Sequence, residues 1–142
     1  MRRTDDDAGL PAPSVAAMAF IWFHRIMALY CLLFGTLYWV RLSGVYPGEL
    51  WRFDLMPAHW KLASAALAVL FPFAAAGLWM VASWGPVIWF ICAAAEIVMY
   101  GAFPELFGAK LSILVSHALV ALLYVAFRVA LRYQARGPDG GP

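Results

Sequence analysis

Five side chains able to carry a charge or a proton fall inside otherwise apolar stretches of this sequence: His24, Arg25, Glu96, His117 and Arg128. Ionisable groups are costly in hydrocarbon, so they mark where function is sought first. Spacing sets Glu96 and His117 apart, because they lie symmetrically about a turn centred between Pro104 and Ala109. If the flanking stretches are antiparallel helices, the pair is level, roughly 10 Å below the membrane surface at about 1.5 Å of rise per residue. A level carboxylate and imidazole can share a proton or pair as ions, each lowering the other's cost of burial. The functional reading is a proton relay or polar ligand site opening to the periplasm. The structural reading is a hydrogen bond that locks two helices together. The small residues Cys92 to Ala95, just before Glu96, allow a further helix to approach closely.

His24 and Arg25 are candidates for contact with an anionic lipid or a partner's carboxylate, while the long Arg25 stem also lets it snorkel to headgroups. Depth argues against a haem bridged by His24 and His117, since bis-histidine ligation needs one level and these two fall in opposite leaflets. His59, beside Trp60, reads as a headgroup contact. Cys31 and Cys92 are packing residues without metal-ligand spacing. No nucleotide, metal or nucleophile motif is present, so no catalytic residue and no metal ligand is assigned, and the sequence names no cofactor.

These residues need elements to position them, and composition decides which. Of 142 residues, 65% are hydrophobic and 13% charged, against roughly 45–50% and about 25% in soluble domains. A chain this short cannot hide so much apolar surface in a water-soluble fold. The ten Lys and Arg are dispersed, which excludes a nucleic-acid partner. Four apolar stretches are long enough to cross the hydrocarbon core, and none alternates with a period of two. The expected fold class is therefore an all-α membrane protein, an antiparallel four-transmembrane-helix bundle, with helices at about 15–42, 60–82, 86–103 and 110–133. Residues 1–14 and 134–142 form polar, disordered tails. Ser14 caps the first helix, and the Asp5-Asp6-Asp7 run argues against a cleaved signal peptide.

The connections add detail. Ser83 to Pro86 makes a tight turn, and the longer linker from Ser43 to Trp60 holds a short interfacial segment opened by Pro47, with Glu49 and Arg52 paired at i,i+3. Positive charges near the helix ends divide five to four in favour of cytoplasmic termini. Aromatic residues suggest two belts, with Trp22, Trp79, Trp84 and Tyr133 at one face and Tyr38, Trp39, Trp60 and Tyr100 at the other. Pro72 should kink the second helix, because it removes the bond to the Ala68 carbonyl.

The run GLWMVASWGPVIW (Gly77 to Trp89), the glutamate within AAAEIVMYGAFPELFG (Ala93 to Gly108) and the length resemble an uncharacterised family of small four-helix inner-membrane proteins of alphaproteobacteria. The resemblance implies topology and compartment and transfers no catalytic residue. Topology alone is also similar to that of small DoxX-like proteins, which assigns no function. The expected function is a non-catalytic accessory subunit or assembly factor, embedded in the bilayer of a bacterial inner membrane and packed on other membrane subunits or on itself. The alternatives are a small homo-oligomeric proton-coupled transporter using Glu96, and a binder of quinone, pigment or lipid.

Overall fold

The computed structural model describes residues 14–136. Most of both polar tails, with the Asp5-Asp6-Asp7 run, Arg2 and Arg3, falls outside that range. Within it there are five α-helices: α1 (Val15–Ser43), α2 (Ala58–Trp79), α3 (Trp84–Ile97), α4 (Pro104–Phe107) and α5 (Leu111–Gln134). Among the described residues there is no β-strand. Four helical spans are long and apolar enough to cross a membrane: α1, α2, α5, and α3 together with a π-helical turn over Val98–Ala102.

Local chemistry sets the ends of these elements. The Ser14 hydroxyl accepts the Ala17 amide at 3.2 Å and caps α1, and Gly44 closes that helix in the left-handed region at φ 72°. In the linker, only Glu49–Trp51 forms a helical turn, of 3₁₀ type, while Arg52 is extended at φ −133°. The expected Glu49–Arg52 pair is therefore replaced by an Arg52–Asp54 ion pair at 2.7 Å. The extended backbone turns the guanidinium away from the one-turn helix.

The second helix spans 58–79 rather than 60–82, because a Schellman closure stops it. The Ala82 amide bonds back to the Gly77 carbonyl at 2.9 Å, and the Val81 amide to that of Leu78 at 3.0 Å. Val81 occupies the left-handed position of this motif at φ 54°, where glycine is the usual residue and a β-branched side chain is strained. Helix α3 then starts at Trp84, and Gly85 lies against the backbone of Gly77. A Cβ added to Gly85 would stand 2.5 Å from the Gly77 carbonyl carbon, so the two backbones touch. Pro72 lies within α2, and its ring fills the space above Gly35 of α1, where an added Cβ would stand 2.6 Å from the proline Cδ.

The interior is built mainly by α1, α2 and α3, with Cys31, Leu67, Phe71 and Cys92 fully enclosed. Helix α4 is fastened to the start of α2. The Leu106 carbonyl accepts from both His59 Nε2 and Trp60 Nε1 at 3.2 Å, and the Phe107 ring packs edge-on against both rings. His59 thus ties α2 to α4. Helix α5 differs from the other long helices, because His117 is its one buried residue among those described.

Candidate functional site

Glu96 lies near the end of α3, and its side chain has no exposed surface. One turn later, within the π turn, the chain places Tyr100 on the same side. A π turn is an uncommon, wide helical turn often found at functional sites. Here it carries the chain from Glu96 to the break before Pro104. Helix α1 contributes Tyr38, whose hydroxyl donates to Glu96 Oε1 at 2.7 Å. From α5, His117 Nε2 lies 2.6 Å from Glu96 Oε2, and the imidazole is 1% exposed. The Tyr38 and Tyr100 hydroxyls are 3.5 Å apart. One carboxylate therefore ties together three helices that are far apart in the chain.

The surrounding rings fix these groups. Tyr38 stacks on Phe71 with ring centroids 5.9 Å apart, and His117 sits among Trp89 and Tyr30 at 6.0 and 6.5 Å. Tyr30 donates to the Ser116 hydroxyl at 3.1 Å, which in turn donates to the Ile113 carbonyl, so a second polar contact helps to hold α5. His117 Nδ1 and Trp89 Nε1 are buried with no hydrogen-bond partner among the described residues.

A partly open cavity of about 360 Å³ reaches this cluster. Glu96, Tyr38 and Tyr100 form its polar end, and Phe34, Leu37 and Ile113 supply apolar wall. Arg41 and Lys110 also line it. Arg41 is one turn past Tyr38, and Lys110 is about two turns before His117, so both cations lie nearer the helix ends than the carboxylate does. The Arg41 guanidinium rests over Trp60 at 4.5 Å and Trp51 at 5.1 Å. Lys110 Nζ lies over Tyr100 at 5.4 Å. Burial, and then the positive charge of Arg41, hold the Lys110 ammonium below the usual lysine range, with Glu96 acting the other way.

The remaining sequence candidates are separated from this cluster. His24 is buried at 2% exposure, donates from Nδ1 to the Phe20 carbonyl at 2.9 Å, and packs against Phe20 and Tyr124. Arg25, its neighbour in sequence, is exposed and lies over Trp22 and Trp79 at 5.9 and 5.3 Å. They face different surroundings and do not form one site. Sequence reasoning missed Tyr38, Tyr100, Arg41 and Lys110 as site residues, and it assigned the two tyrosines to a membrane belt. Burial at 5% and 4% moves both tyrosines from the lipid interface to the interior. The i,i+4 spacing of Glu96 and Tyr100 was the available signal.

Among the described residues, no three His, Cys, Asp or Glu side chains gather to hold a metal ion. The polar groups present suit hydrogen bonding and proton sharing. In a comparison with family models, residues 18–135 match that of a family of unknown function (DUF6163), a range that includes every residue of the cluster. No curated protein and no solved structure matches the chain.

Proposed function

The chain belongs to DUF6163, a family of unknown function, so its chemistry has to be argued from its own geometry; we propose a non-catalytic membrane protein that binds the polar end of a lipophilic ligand beside Glu96. One observation carries this reading: a cavity of about 360 Å³ with apolar walls ends on a fully buried carboxylate held by Tyr38 and His117. A few oriented polar groups in a largely apolar cleft are the usual form of a small-ligand site. The volume suits a headgroup or a ring, with any chain lying outside along the helices. Quinone, pigment and lipid share this amphiphilic character. The proposal includes an up-and-down bundle in a bacterial inner membrane with cytoplasmic termini.

A second reading, the accessory subunit or assembly factor, draws support from α5. This 24-residue helix fully buries only His117 among the described residues, which leaves its exposed apolar side chains, such as Leu119, Leu122 and Val125, to meet another membrane subunit. The two readings are compatible, since a ligand-holding subunit can belong to a larger complex.

The test is to purify the full chain in mild detergent and to analyse its organic extract by mass spectrometry and absorption. We expect one class of amphiphile, enriched over the membrane average, that is lost when Leu37→Trp fills the cavity. Extracts matching bulk membrane lipid in both proteins would overturn the reading. Recovery of stoichiometric larger subunits in the same preparation would support the accessory role.

A further inference from the structure

We propose that the part of this cavity nearer the helix ends is a phosphate-binding site, in which Arg41 and Lys110 clasp the phosphate of an anionic lipid headgroup. The inference rests on the ligand-binding reading above and names the class of the ligand.

Three observations lead to it. First, the cavity wall carries two cations and a single acid, Glu96. Both oxygens of that acid are already engaged, by Tyr38 and His117. Neither Arg41 nor Lys110 makes an ion pair or a side-chain hydrogen bond among the described residues, so the two positive charges of the wall are set against one carboxylate that is already engaged elsewhere. Second, Arg41 Nη1 is buried and has no hydrogen-bond partner. A guanidinium donor withdrawn from water and left unpaired is costly, and the cost is relieved when an acceptor binds. Third, the Arg41 guanidinium lies over the rings of Trp60, Trp51 and Tyr38 at 4.5, 5.1 and 5.9 Å, so aromatic surface rather than a carboxylate positions it at the cavity wall. A guanidinium can give phosphate two parallel N–H bonds, and lysine adds a point charge. The lowered affinity of Lys110 for its proton, caused first by burial and then by the charge of Arg41 and opposed by Glu96, agrees with two like charges brought close together.

Free phosphate has the same chemistry as a phospholipid headgroup. The apolar wall of Phe34, Leu37 and Ile113 favours the lipid, because acyl chains would continue along it. Glu96 stands one to two turns deeper than the cations and would face the glycerol end of the headgroup rather than its charge.

The experiment places the full chain in phosphatidylcholine nanodiscs doped with phosphatidic acid of the same acyl chains, and counts retained lipid by native mass spectrometry. Wild-type protein should enrich phosphatidic acid over phosphatidylcholine. Lys110→Gln and Arg41→Gln should each lower that enrichment about tenfold, as expected for loss of a hydrogen bond to a charged group. Arg132→Gln, in the last turn of α5, should leave it unchanged. Lys110→Gln is the decisive variant, since Arg41 also packs on two tryptophans and its loss could disturb the fold. Displacement of the lipid by millimolar inorganic phosphate would support the anion site and show that the free anion competes for it. Equal retention of the two lipids, with both lost in Leu37→Trp, would overturn the phosphate site and leave the cavity reading standing. Retention unaffected by Leu37→Trp would overturn both.

Discussion

Glu96 gives one oxygen to α1 and the other to α5, so its substitutions should separate charge from geometry. Glu96→Ala leaves Tyr38 and His117 buried without their acceptor and should cost about 3–5 kcal/mol, seen as a large fall in thermal stability in detergent. Glu96→Gln keeps the shape and an acceptor oxygen and should cost clearly less. The same variant tests the transport alternative. Unchanged proton flux in proteoliposomes would remove Glu96 from any transport step. Lys110 offers a pH test. It faces Arg41 from α1, Tyr100 from the π turn and Glu96 from α3, and its pKa is lowered from the ordinary 10.5. Its charge is present below that lowered pKa and is lost as pH rises through it. Phosphatidic acid retention should therefore fall at a lower pH than an ordinary lysine would give, and Lys110→Arg should flatten the decline. At this scale the sequence was partly legible. Symmetry about the turn puts Glu96 and His117 level, but nothing in the chain's order shows that Tyr38, 58 positions earlier, closes on the same carboxylate.

Between elements, contact is set by the smallest residues. Gly77 and Gly85 let α2 and α3 touch backbone to backbone, and Gly35 receives the ring of Pro72. Gly85→Ala should destabilise the hairpin by about 1–3 kcal/mol, because the added carbon meets backbone that cannot rotate aside. Val81→Gly should do the opposite and raise thermal stability by about 1 kcal/mol, by relieving the left-handed valine in the closure after α2. Comparing the melting of the two variants in one detergent checks both signs. Glycines on either side of a short turn were visible in the run from Gly77 to Trp89, but their direct contact was not, since it depends on where the Schellman closure stops α2. Pro72 was read for the hydrogen bond it removes. Its ring, seated on Gly35, is equally part of how α1 and α2 meet.

For the whole molecule, hydropathy was enough to find four helices able to span a membrane. It could not say which face of each helix turns inward. In lipid the outer surface is as apolar as the interior, so burial leaves little periodic trace in composition. The few polar residues were better guides, and even they misled where an aromatic side chain could serve either a belt or a core. Helix α5 shows the difficulty most clearly, because it is apolar along its length and yet encloses only His117 among the described residues. His117→Ala should therefore loosen this helix selectively, with hydrogen exchange rising across 111–134 and changing little in α2.

That single enclosed histidine also bears on how the chain is assembled. Synthesis runs from the N-terminus, so α1 to α3, which supply most of the shared interior, are made before α5. The last described helix then joins that body through two polar contacts, His117 with Glu96 and Ser116 with Tyr30, much as a separate polypeptide would. Two co-expressed fragments, 1–109 and 110–142, should therefore find each other in the membrane and co-purify. A His117→Ala change in the shorter fragment should weaken their association.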